Sequence, residues 1–485
     1  MSLSKSRHRT WIYAFLGAVF VLYCIWMVTV PMERAPDEQV RVILSNSVWQ
    51  HGSLPNAWDP EVRIYDWGFS YALRPMLVNI IGAFFMGVVS LFTTDPWAML
   101  LAVRFVSVLS GVIFVLYAFK IALALGWKEH WVWVFACLCA LTPQISFLAA
   151  YNNNDLFSLM CTTMIVFYWI EGNRLSWSWP VCIKLGLVLG ITCLSYYNTY
   201  PYVLMSVVVY FFSYWKQAKT GTQKKEMWLK AAAIAGLAFL MAGWWFIRNI
   251  VLYHGDVLGS KTRLEMGELY ADADKKPSTV WKAKREGISL FKLIFGVTRI
   301  KYPWIVQTFE SLIAKFAMNS LMVAGWIYPA AAAFLGAGLI ARIVRAIQNG
   351  IAWVKAKSHA IGFAGMFYLA NVICMLAVFF LSAYYSWTDD YQAQGRYLMP
   401  AFSSLMLFVV QGWILIAGWL KKAFRQPKLP AWIANGICVV MVIFQLYCLF
   451  GVVRPDSKGV PKLNEHYLET YWIPYNSEKA AGKTG

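Results

Sequence analysis

The chain has 485 residues, 59% of them hydrophobic and 17% aromatic, with only 14% charged; this excludes a soluble domain of such length and places the chain in lipid. The formal net charge of +19 suggests nucleic acid only until the basic residues are located, because they cluster between apolar stretches as they do in cytoplasmic loops of helical membrane proteins. The nine cysteines fall mostly inside those stretches, with neither metal-ligand spacing nor a disulfide framework.

In chain order, Lys5, Arg7 and Arg9 precede an apolar run that is too long for a signal peptide and lacks a small-residue cleavage site. It reads as an uncleaved first span. Spans are expected near 11–30, 98–125, 131–149, 156–170, 180–197, 201–215, 229–247, 320–341, 361–384, 398–420 and 431–452, an all-α polytopic bundle of about eleven transmembrane helices. The pair between 180 and 215 shares a break at Asn198-Thr199-Tyr200-Pro201.

Four basic clusters lie between spans: the N-terminal one, Lys216/Lys219/Lys224/Lys225/Lys230, Arg342/Arg345/Lys355/Lys357 and Lys421/Lys422/Arg425/Lys428. If all are cytoplasmic, an even number of crossings separates each pair. The further apolar run at 75–91 is therefore expected as a re-entrant or interfacial helix, ended by Thr93-Thr94-Asp95-Pro96. This topology leaves the N-terminus cytoplasmic. It puts a first loop (31–97), a long loop (248–319) and a tail (453–485) outside, as a cap on one bundle formed by residues 1–452. The long loop is itself basic at Lys275, Lys276, Lys282, Lys284 and Arg285, but long loops largely escape the charge rule.

The first loop opens Pro36-Asp37-Glu38. Proline followed by acids in a first turn is ordinary helix-opening chemistry, and the run to Gln50 suits an amphipathic helix lying on the membrane. A carboxylate beside the bilayer could equally be a general base that takes a proton from a hydroxyl. Arg248 at a span end could snorkel to headgroups, Arg396 could pair with Asp389 or Asp390, Asp155 could cap the helix that follows it, and His254 could be a plain loop residue. Tyr384, Tyr385, Trp387 and Trp58 fit an interfacial aromatic belt, or rings that stack on sugars.

Several motifs in order along the chain resemble the GT-C superfamily of membrane glycosyltransferases, which includes protein O-mannosyltransferases and lipid A aminoarabinose transferases. They are Pro36-Asp37-Glu38 after the first span, Arg74-Pro75, and Arg104-Phe105-Val106-Ser107. Further on come Tyr151-Asn152-Asn153-Asn154-Asp155, Trp244-Trp245-Phe246-Ile247-Arg248-Asn249 with Tyr253-His254-Gly255-Asp256, and Gln394-Gly395-Arg396-Tyr397. The last two are similar to a bacterial branch of that superfamily. The resemblance implies a polyprenyl-phosphate sugar as donor, Asp37 as base with Glu38 as second candidate, and Arg396, Arg248 and Arg74 on the donor phosphate. Asp155, Asn249, His254, Gln394 and Tyr397 are then the expected substrate contacts. It also implies a site on the outer face of a bacterial inner membrane, with no cofactor, and no residue cluster demands a metal. Many members carry a Thr-Lys pair where this chain has Tyr196-Tyr197-Asn198-Thr199, which puts a cationic phosphate contact there in doubt.

An envelope glycan is the expected acceptor, O-antigen glucosylation being one such reaction. Two competing readings are an O-antigen polymerase or ligase, whose arginines would sit in a large late loop, and a flippase for lipid-linked sugars. The latter would show repeated halves and ionisable residues inside broken spans, of which the sequence has little.

Overall fold

The computed structural model describes residues 2–298, 302–355 and 361–472. Lys357 of the third basic cluster and residues 473–485 of the expected tail lie outside these.

Helices dominate because a backbone in hydrocarbon must satisfy its own polar groups. The bundle comprises α1 (Ser2–Thr29), α4 (Pro96–Ala124), α5 (Glu129–Leu141), α6 (Pro143–Ala149), α7 (Asn154–Arg174), α8 (Trp179–Cys193), α9 (Tyr200–Gln217), α10 (Gly221–Leu252), α14 (Ile327–Lys355), α15 (Phe363–Thr388), α16 (Phe402–Ala423) and α17 (Leu429–Leu446). Shorter helices gather at one end of the bundle: α2 (Glu38–His51), α3 (Leu77–Ser90), α11 (Ser260–Tyr270), α12 (Leu290–Phe295) and α13 (Trp304–Ala314). Among the described residues the only sheet is a two-stranded antiparallel ribbon, β1 (Lys315–Phe316) with β2 (Leu321–Met322).

Among the described residues seven helices are long and apolar enough to cross a membrane, and α5 with α6, bent by 52° at Pro143, makes a possible eighth. Pro143 supplies no N–H and sits at the first position of the new helix, where that loss is harmless. The expected count of about eleven is thus not confirmed. Helices α7, α8 and α9 stand where the other three spans are expected, and α7 is buried along nearly its whole length. A helix wrapped by protein has no need of an apolar lipid face, so hydropathy is a poor guide to it. The 14 residues of α3 extend roughly 21 Å at 1.5 Å per residue, short of a hydrocarbon core.

Helix α2 departs from expectation. Rather than resting one face on lipid, it buries Ser45, Asn46 and Ser47 as well as Val42, Ile43 and Leu44, packed against α3 and the first loop. Asn79 of α3 donates to the Arg41 carbonyl, 2.8 Å away. The reason is polar satisfaction: side chains that water would hydrate find partners inside protein, which one-faced amphipathicity does not anticipate.

The first loop and the long loop meet at the end of the bundle that holds α2. The amide of Asp272 donates to the Asp66 carbonyl at 3.1 Å, and Lys275 pairs with Asp66 at 2.7 Å. The amide of Lys284 donates to the carbonyl of Trp387 at the end of α15. Residues distant in sequence are thereby gathered around one cavity.

Candidate active site

The site starts from a buried anchor. Arg104 of α4 makes two bonds to Glu38, Nε to Oε1 at 2.8 Å and Nη2 to Oε2 at 2.5 Å, and its Nη1 donates to the carbonyls of Met27 and Val30 at 2.8 and 2.7 Å. Both side chains are fully buried. The backbone amide of Asn152 adds a third bond to the Glu38 carboxylate, at 2.8 Å. A bidentate guanidinium–carboxylate pair of this kind fixes geometry strongly. It ties the end of α1, the start of α2, α4 and the 151–155 segment together. Both Glu38 oxygens are thus engaged, Oε1 by two bonds and Oε2 by one, in a fully buried side chain.

With Glu38 held, Asp37 becomes the residue that turns the chain. It stands just before α2 with φ 58 and makes no capping bond, so the expectation that it belongs to the first helical turn is not met. Left-handed backbone at a non-glycine residue is uncommon, though tolerated best by Asn and Asp. The turn aims the Asp37 carboxylate away from α2 and toward Arg396, whose Nη2 donates to Oδ2 at 2.7 Å across 359 residues of sequence. The Asp37 side chain stays 35% exposed, that of Arg396 only 4%.

Arg396 lies in the 3-10 turn Gly395–Ala401 ahead of α16. Gly395 is required there, since an added Cβ would lie 2.3 Å from the backbone nitrogen of Leu312 in α13. Nη2 of Arg396 also reaches the Tyr397 hydroxyl at 3.0 Å, while its Nε and Nη1 are buried with no acceptor. The acids that sequence offered as its partners are engaged elsewhere: Asp389 with Arg263, Asp390 with Gln392.

Two more guanidinium groups approach the same carboxylate. Arg74 and Arg41 lie 5.3 and 5.2 Å from the centroid of the Tyr71 ring, and both act electrostatically on Asp37. Burial alone would raise the Asp37 pKa, but Arg396, Arg41 and Arg74 outweigh it and hold the carboxyl below its ordinary range. Arg41, absent from the sequence expectations, is one helical turn from Asp37. That i, i+4 spacing puts the two on one face and was the available signal.

A cavity of about 1180 Å³ opens over this pair. Asp37, Arg74, Tyr71 and Tyr397 form part of its wall, together with Tyr196, Tyr197 and Asn198 between α8 and α9, Tyr384 and Tyr385 of α15, and Arg263 of α11. Where a Thr-Lys pair was the family pattern, two tyrosines and an asparagine therefore line the space. Asp390 is half-buried at the same wall, and desolvation, partly offset by the Gln392 amide, raises its pKa.

The remaining expected residues divide. Asp155 is 2% exposed, within electrostatic reach of Arg396 and Arg41, and its Oδ2 has no partner. It does not cap α7, because Asn153 accepts from the Leu156 amide. Gln394 lines a minor hollow beside Arg396 and Tyr151. Arg248 does not line the large cavity: its Nη2 donates to the Pro55 carbonyl at 2.7 Å and its guanidinium lies over Trp245. Asn249 is likewise structural, donating to the carbonyls of Leu73 and Val257. His254 sits in an exposed turn at φ 49 and is not part of the cavity wall. Among the described residues no three His, Cys, Asp or Glu side chains gather as a metal-ligand set.

The chain matches no protein-family model and no curated protein. Solved structures do match. The apo oligosaccharyltransferase of Archaeoglobus fulgidus superposes with a TM-score of 0.53 at 14% identity, over 95% of this chain and 57% of that one. The same organism's oligosaccharyltransferase AglB, in complex with an inhibitory peptide and a dolichol-phosphate, gives 0.53 at 13% identity with the same coverage. ArnT from Cupriavidus metallidurans, bound to undecaprenyl phosphate, gives 0.48 at 12% identity over 98% of this chain and 78% of that one. The fold is that of the archaeal oligosaccharyltransferase, and the chain spans 57% of that protein's length.

Proposed function

We propose that this protein is a glycosyltransferase that moves a sugar from a polyprenyl-phosphate donor to a hydroxyl of an envelope glycan, O-antigen included, at the outer face of a bacterial inner membrane. The observation that carries the reading is Asp37 on the cavity wall, paired from behind by the buried Arg396, with Arg74 on the same wall and Arg41 close by. A base alone would suit many hydrolases and transferases. A base held among three guanidinium groups suits a reaction in which a hydroxyl loses a proton while a phosphate gains negative charge.

Asp37 accepts the acceptor's proton as its oxygen attacks the anomeric carbon. The bond from that carbon to the phosphate oxygen breaks, its electron pair stays on the phosphate, and Arg396 and Arg74 stabilise the charge as it accumulates. A single displacement on one face inverts the anomeric centre. The tyrosines at 196, 197, 384 and 385 supply flat apolar surface for sugar rings. That AglB was solved with a dolichol-phosphate supports a lipid phosphate as the donor's anchor in this fold.

The test is incubation of the purified, lipid-reconstituted protein with a panel of radiolabelled polyprenyl-phosphate sugars and extracted cell-surface polysaccharide. One donor should label the polysaccharide with inverted configuration at the new linkage. No transfer from any donor, with label instead appearing across the bilayer on intact lipid, would favour a flippase.

A further inference from the structure

The chain beyond α17 comes back to the site. After a π-helical turn (Tyr447–Val453), residues 454–472 cross to the arm that joins α1 to α2, the arm on which Asp37 is carried. Several of their contacts are on that arm, and others reach Trp49, Tyr65 and Trp97. Asp456 pairs with Arg34, Oδ2 to Nε at 2.8 Å, with both side chains partly exposed. Lys462 donates through Nζ to the carbonyls of Val28 and Thr29, at 3.0 and 3.1 Å. Those are among the last carbonyls of α1, which have no partner within the helix, and a cation is favoured there by the helix dipole as well. The carbonyl of Lys462 accepts from the Met32 amide at 3.1 Å. Asn464 reaches Glu33 at 3.4 Å and is itself part of the cavity wall. Beyond it, Tyr467 is buried in the same apolar cluster as Met32 and Val42.

We propose that residues 454–472 are a strap that positions Asp37 against Arg396. The arm between Thr29 and Glu38 is held at one end by the buried Arg104–Glu38 pair. Its other end is held by Arg104 at the Val30 carbonyl and, through Arg34, Met32 and Glu33, by the strap. Asp37 lies between these two holds at a left-handed φ, a conformation that persists only where the surroundings over-determine it. Loosening the strap leaves the guanidinium cradle in place and lets the carboxylate wander. Arg34, Asp456 and Lys462 are therefore positioning residues, and the claim rests on Asp37 being the base.

The test compares the full-length protein with Asp456→Asn/Lys462→Met, and with the charge exchange Arg34→Asp/Asp456→Arg. In Asp456→Asn/Lys462→Met, kcat should fall about tenfold to a hundredfold, as expected for a reacting group misplaced by about 1 Å, with KM for the donor within about twofold of wild type. The charge exchange should recover most of the turnover that Asp456→Arg alone loses. Backbone amide exchange at residues 32–38, read in the same samples, should quicken in the strap variant and return toward wild type in the exchange. Unchanged kcat and unchanged exchange overturn the strap. So does a joint collapse of kcat and donor affinity without recovery in the charge exchange, which is what general unfolding produces. A wild-type protein that transfers no sugar defeats the enzymatic reading instead, and the amide exchange then still decides whether the strap holds the arm.

Discussion

Asp37 carries its charge where burial by itself would remove it, and three guanidinium groups are the cause. The sign of the pH effect follows. A carboxyl whose pKa is depressed is ionised above that pKa, so turnover should hold from neutrality down past the usual carboxylate pKa of about 3.9 before falling. In Arg396→Gln, one of the depressing charges is gone, and the acid limb of kcat/KM should move upward in pH. Asp37→Asn should lower kcat about 10²- to 10⁴-fold, the usual contribution of a general base, and leave donor-lipid affinity nearly intact. Glu38→Gln tests the opposite role. Breaking a fully buried ion pair typically costs about 3–5 kcal/mol, so this variant should show a lowered unfolding transition in detergent. Arg248→Ala should change donor affinity by no more than about twofold, because its guanidinium faces the Pro55 carbonyl; an isotherm with labelled polyprenyl phosphate decides it.

At the scale of elements, the site is made by ends rather than by middles. The start of α2, the break between α8 and α9, the end of α15 and the turn before α16 all reach one cavity. Gly395 lets that turn lie against α13, so Gly395→Ala should push Arg396 off Asp37, destabilising by about 1–3 kcal/mol as overpacking does and weakening donor binding. Much of this was legible in the sequence, because apolar length marks helices and polar residues at their ends mark what remains for chemistry. Asp37, Arg74, Arg396 and Tyr397 were readable for that reason; three of them share one wall, and Arg396 bonds to Asp37 and Tyr397 from behind it. Arg248 and Asn249 were equally conspicuous but are turned into the fold, since a residue's place at a helix end does not fix which way its side chain points. Arg41 and Arg104 were harder to read for the converse reason. Each lies inside a helix: only the four-residue spacing from Asp37 pointed to Arg41, and the motif that contains Arg104 did not show that it anchors Glu38. The burial of α2 was illegible too, because Ser45 and Ser47 find their partners, Asn79 of α3 and Glu61, only once α3 and the loop after α2 have docked.

For the whole molecule, charge placement predicts which loops meet the cytosol, and the structure gathers the candidate residues at a single end of the bundle. With the nine native cysteines replaced, Lys276→Cys in the long loop should react with a membrane-impermeant maleimide in spheroplasts. Lys224→Cys should react only after permeabilisation. Reaction of both from outside would place an even number of crossings between them and overturn the charge-based topology. Cations and tyrosines share the cavity wall, as the proposed sugar-phosphate donor requires.

The account stands or falls on what the Asp37 carboxylate does when donor and acceptor meet. Single-turnover transfer in nanodiscs preloaded with labelled donor should proceed in wild type and stall in Asp37→Asn, with the donor still bound and unhydrolysed. Transfer by Asp37→Asn at the wild-type rate would contradict the assignment of the base and the mechanism built on it.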